Sequence, residues 1–127
     1  MSAMGGKRTF VWMVRAMADL KLPLNVYVRL SAQQALLGAI PSSLRLVTAT
    51  FVETVVQVCF VFDGPIHEDD LESARLATTQ IISDFPSPWK LEEEFVRLDY
   101  PAELNQFPGA SRVYERKERT ADGDPVR

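Results

Sequence analysis

Cysteine and histidine each occur once in the 127 residues, as Cys59 and His67. A single thiol excludes an internal disulfide and a zinc site built on cysteine pairs. Cys59 lies within the apolar run 55–62, where a buried, inert thiol is expected. A reducing, cytoplasmic setting agrees with that. The single histidine leaves a Ser-His-acid triad one choice of base, and no G-x-S-x-G elbow occurs for it to serve. Long hydrophobic stretches are also missing. The run 55–62 is eight residues long and contains Gln57, well short of the roughly 20 that cross a bilayer. Gly5-Gly6-Lys7-Arg8-Thr9 lacks the spacing of a phosphate loop and has no strand before it. No cofactor and no membrane association are expected.

What is present is an ordinary globular composition with an uneven charge. Hydrophobic residues make up 46% and charged residues 24%, which fits one folded domain of modest core rather than a disordered chain. The net charge of −3 conceals three unequal parts. Residues 1–62 carry six Lys/Arg against two acids, a balance of +4. Residues 63–103 carry three against eleven, a balance of −8, and residues 104–127 carry five against four, a balance of +1. The acidic middle disfavours nucleic acid there and suits a basic protein partner.

Residues 1–22 differ in character from the remainder of the chain. Lys7 and Arg8 precede an apolar stretch of five residues that Arg15 interrupts, shorter than the core of a secretory signal. Phe10, Val14 and Met17 can instead share a face of a short helix, and Met4, Met13 and Met17 allow a later start. The expectation is an N-terminal extension over 1–22, one α+β domain over 23–118 and a polar tail over 119–127.

After Pro23 the alternation of Leu24, Val26, Val28 and Leu30 has the period of a strand. Ser31 and Gln34 then form a capping-box pattern ahead of a short helix from Ala32 to Ala39. A helix beginning nearer Val26 and replacing that strand is the alternative. Leu44–Phe51 and Thr54–Phe62 read as two strands, the second apolar on both faces and therefore central. Asp63-Gly64-Pro65 ends it. Leu71, Ala74, Thr78, Ile81, Ile82 and Phe85 then repeat at three-four spacing, which predicts a helix from His67 to Asp84. Trp89–Tyr100 reads as a strand in which Glu93 conflicts with an apolar face unless it lies near an edge or a bulge. Arg112–Lys117 makes a last edge strand. The expected fold is α+β: an antiparallel sheet of four or five strands with two helices on one face. Its order is βαββαβ, as in ferredoxin-like domains, or else αββαββ.

No catalytic constellation stands out. His67 with Glu68, Asp70 and Asp63 lacks any metal-binding spacing and reads as a solvated helix start beside the helix dipole. Lys7, Arg8 and Arg15 form too small a basic patch for nucleic acid. The acidic residues Asp63, Glu68, Asp69, Asp70, Glu72, Glu92, Glu93, Glu94 and Asp99, with Trp89 and Tyr100 as aromatic anchors, are the candidate partner-binding set. Solubility alone also explains an acidic face.

The segments LSAQQALLGAIPSSLR, FDGPI with its acidic helix start, DFP and EEEFVRLDYP resemble a family of small bacterial proteins that look like toxin-immunity proteins of the contact-dependent-inhibition type. The resemblance covers about residues 30–114 and carries over no catalytic residue. It implies an immunity role; with the acidic middle and the lack of catalytic groups, the expectation is a non-enzymatic module, monomeric or homodimeric, that neutralises a cationic toxin by occlusion. A small hydrolase or transferase using carboxylates and His67, or a homo-oligomeric structural module, are the other expectations.

Overall fold

A computed structural model describes residues 23–118. The expectations for residues 1–22 and 119–127 lie outside the described residues. The order is α1 (Leu24–Ala35), β1 (Leu44–Val52), β2 (Val55–Phe62), α2 (Glu68–Ser83), β3 (Lys90–Arg97) and β4 (Arg112–Glu115), with one 3-10 turn at Gly109–Ser111. This is αββαββ, so the ferredoxin-like order is replaced. The four strands form one sheet ordered β3-β2-β1-β4.

The sheet is mixed rather than antiparallel. β1 pairs antiparallel with β2 and with β4, but β2 pairs parallel with β3 from Val55↔Lys90 to Phe62↔Arg97. Lengths explain the direction. The 16-residue α2 runs about 24 Å, and the eight-residue β2 runs about 26 Å. The helix therefore returns the chain to the end where β2 began. Because β3 then docks directly beside β2, the pair must be parallel.

Leu24–Leu30 is helical, not a strand. Val28, Ser31, Ala32 and Ala35 form the buried stripe of α1, at the i, i+3, i+4, i+7 spacing of one helix face. Pro23 stands at the N-cap, where a missing N–H costs nothing. Small residues at 31, 32 and 35 let α1 lie close to its neighbours. Of the expected helix Ala32–Ala39 only Ala32–Ala35 is helical, as the last turn of a longer helix capped at Leu36. Ser31 caps nothing; mid-helix and buried, it donates to Asp84 Oδ2 at 3.1 Å and ties α1 to the end of α2.

One face of the sheet carries both helices. Val47 and Ala49 of β1 with Val56, Val58, Phe60 and Phe62 of β2 join Val28, Ala32 and Ala35 of α1 and Ala74, Ala77 and Ile81 of α2 in one apolar cluster. Phe60 stacks on Phe95 of β3 at 5.5 Å between ring centres. Phe85 sits between Tyr27 and Trp89, whose ring also meets Phe51.

The hairpin between β1 and β2 turns through Glu53 and Thr54, with Val52 paired to Val55. Glu53 has φ 54°, a left-handed conformation that burdens a residue with a Cβ. Glu53→Gly is therefore expected to raise stability by about 0.5–1 kcal/mol, read as a higher urea midpoint with an unchanged slope.

Candidate functional site

Among the described residues, the second face of the sheet carries no helix. Strand alternation points Leu46, Thr48 and Thr50 of β1, Gln57, Cys59 and Val61 of β2, and Glu92 and Glu94 of β3 to this side. The segment linking β3 to β4 must pass from one sheet edge to the other, and it does so here. Leu46 and Val61 are fully buried. Beside that segment lies a concavity of about 570 Å³ walled by Thr48, Thr50, Gln57, Cys59, Glu92, Glu94 and Phe107.

Glu92 and Glu94 make one side of this groove negative. Gln57 Nε2 donates to Glu92 Oε1 at 3.1 Å. Burial, with Glu94 adding to it, pushes the Cys59 thiol up to about 11, so at neutral pH it is neither nucleophile nor metal ligand. Thr48 is 8% exposed.

At the end of the sheet where β2 finishes, an arginine is buried in the fold. Arg45 is 2% exposed and Glu118 7%. Arg45 Nε donates to Glu118 Oε2 at 2.7 Å and Nη2 donates to Oε1 at 2.9 Å, a bidentate pair. Nη1 donates to the Leu98 carbonyl at 2.7 Å and Nη2 to that of Ala102 at 2.8 Å. The guanidinium also lies 5.8 Å from the centre of the Tyr100 ring. Arg45 thus fixes the start of the β3–β4 connection. Arg116 extends the network, donating to Glu118 Oε2, to Asp63 Oδ2 at 3.0 Å and to the Ser42 carbonyl at 2.9 Å. Arg112 secures the later part of the same connection through the carbonyls of Leu104 and Phe107, which places Phe107 at the groove.

The acidic residues picked out from the sequence fall into separate groups. Asp63, Asp99 and Tyr100 come together at the end of β2. Asp63 accepts from the Tyr100 N–H at 3.1 Å. Asp99 accepts from the Gly64 N–H at 2.7 Å and from Arg97 at 3.0 Å. The Arg97 hydrogen bond and then the Gly64 N–H hold the Asp99 carboxyl below its usual range. Gly64 has φ 86°, a turn conformation glycine takes without strain. Glu68, Asp69 and Glu72 are exposed at the start of α2, and the half-buried Asp70 accepts from Ser43 Oγ at 3.3 Å. Glu92 and Glu94 face the groove, whereas Glu93 faces the helices and accepts from Thr78 Oγ1. The edge position of β3 is what tolerates Glu93 on that side. Trp89 packs in the aromatic cluster. Since Glu92 pairs with Gln57 and α2 starts beyond Phe62, the groove acids and the helix-start acids stand roughly 17 Å apart along the strand direction.

A family model for MafI2 immunity proteins matches residues 25–118. That span takes in all four strands, α2, nearly all of α1, the groove and the buried Arg45–Glu118 pair. The chain belongs to the MafI2 immunity protein family. Membership agrees with the resemblance read from the LSAQQALLGAIPSSLR, FDGPI and EEEFVRLDYP segments. No curated protein matches the chain.

Several site residues of this MafI2 family member escaped sequence reasoning: Arg45, Arg116 and Glu118 of the buried network, and Thr48 and Gln57 of the groove. An arginine between Leu44 and Leu46 in an apolar strand was the available signal, because a buried cation demands a partner. Nothing local names Glu118 as that partner. Among the described residues no group of His, Cys, Asp and Glu is placed to hold a metal ion. No helix among them is long and apolar enough to cross a membrane.

Proposed function

We propose that the protein is an immunity protein that binds a toxin and neutralises it by occlusion, using its acidic surface to meet a basic partner. Family membership over residues 25–118 carries this reading. Its electrostatic part is supported by Glu68, Asp69, Glu72, Glu92 and Glu94, all exposed and so able to steer a cationic surface. Asp63 and Asp99, already paired with Arg116 and Arg97, shape that surface more than they charge it. Trp89 and Tyr100 are half-buried and back it from within. Action is by binding, without a catalytic step, in the cytoplasm of the producing cell. The hydrolase reading loses support because His67 is the exposed N-cap of α2, away from the groove.

The test pairs the full chain with the product of the adjacent reading frame, which the immunity reading expects to be the toxin. Co-expression is expected to restore growth, and the two proteins are expected to copurify. The variant E68Q/D69Q/E72Q/E92Q/E94Q is expected to bind about tenfold or more weakly near physiological ionic strength, with the difference shrinking in high salt. Absence of rescue and of a complex with the unaltered protein rejects the immunity role. Undiminished affinity of the charge variant rejects the acidic surface and leaves the role standing.

A further inference from the structure

We propose that the groove on the helix-free face of the sheet is the seat of the partner, and that it takes a cationic side chain, arginine or lysine, carried on an exposed loop of the toxin. This rests on the immunity reading above and adds the place and the chemistry of contact.

Three independent features select that occupant. The first is charge. Glu92 and Glu94 stand on one side of β3 about 7 Å apart, and among the described residues no Lys or Arg lines the groove. Gln57 orients Glu92 through its amide, leaving the carboxylates to accept from an incoming donor.

The second feature is Thr48. Its side chain lines the groove and is 92% removed from solvent, yet its hydroxyl has no hydrogen-bond partner among the described residues. No fully enclosed side-chain oxygen or nitrogen among them is left unsatisfied, so the Thr48 oxygen is reached from the groove. A hydroxyl both donates and accepts, so beside the two carboxylates it adds an acceptor for a donor brought into the groove. The third is Phe107, which lines the groove and belongs to a residue type whose ring face attracts cations. Anions are repelled by Glu92 and Glu94.

The helix-start acids have a different part. Glu68 and Asp69 lie in the first turn of α2, where the positive end of the helix dipole already answers them. They speed encounter, whereas the groove holds the partner.

Rates separate these two parts. With the adjacent toxin as probe, E92Q/E94Q is expected to raise the dissociation rate about tenfold or more. E68Q/D69Q/E72Q is expected to slow association and to leave dissociation within about twofold. Unchanged dissociation of E92Q/E94Q overturns the groove as the seat and leaves the immunity role intact. A wild-type chain that forms no complex overturns both.

Discussion

Arg45→Met is expected to destabilise the protein by about 3–5 kcal/mol, the largest single effect of any charged residue among those described. The substitution keeps most of the side-chain volume but leaves Glu118 buried with only Arg116 beside it. It also removes the donors that hold the Leu98 and Ala102 carbonyls. Chemical denaturation at neutral pH measures the loss. The double variant R45M/E118M is expected to cost less than the two single changes added together, by about 1–3 kcal/mol, because an uncompensated buried charge is then absent. Equal stabilities of wild type and R45M would mean that Arg45 turns outward in solution.

The same pair sets an acid limit. The Arg45 hydrogen bond, working against burial, holds the Glu118 carboxyl below its ordinary value. A carboxyl lowered by folding stabilises the native state above its unfolded pKa, near 4.3 for glutamate. That contribution fades as pH falls through the lowered native value. The stability gap between wild type and R45M is therefore widest at neutral pH and narrows on acidification below about pH 4.3.

The second large effect lies on the helix-bearing face. Phe60 is fully buried and stacks against Phe95, over which Arg75 places its guanidinium at 5.7 Å. Phe60→Ala is expected to cost about 3–5 kcal/mol, from lost transfer energy and an unfilled cavity. Domains of this size have only about 5–15 kcal/mol in hand. Leu76→Ala serves as the comparison, since Leu76 is 62% exposed on α2, and it is expected to shift stability by less than about 0.5 kcal/mol. A denaturation midpoint for F60A within that small range would place Phe60 outside the core.

Particular residues explain what the sequence disclosed and what it hid. α2 and the β1–β2 hairpin were legible because their periods run unbroken, Leu71 to Ile81 by threes and fours and Val55 to Phe62 by twos. α1 was misread because Val26, Val28 and Leu30 alternate by chance, while its true stripe depends on Ser31, Ala32 and Ala35, small residues that carry little hydropathy signal. The direction of β3 depended on which neighbour it chose, and that choice is tertiary. The acids were visible as a composition, but their division was not. A one-residue step along β3 sends Glu93 to the helices and Glu92 and Glu94 to the groove.

The Arg45–Glu118 pair also orders events during synthesis. Its two members are 73 positions apart in the chain. A ribosome adding about 5–20 residues per second needs about 4–15 s to travel from one to the other. Over that interval β1 has emerged with a cation it cannot bury. The hairpin and the β2–α2–β3 unit can associate, but Arg45 has no carboxylate partner for its Nε until Glu118 arrives. Nascent fragments ending short of Glu118 are therefore expected to lack the buried ion pair that holds the start of the β3–β4 connection.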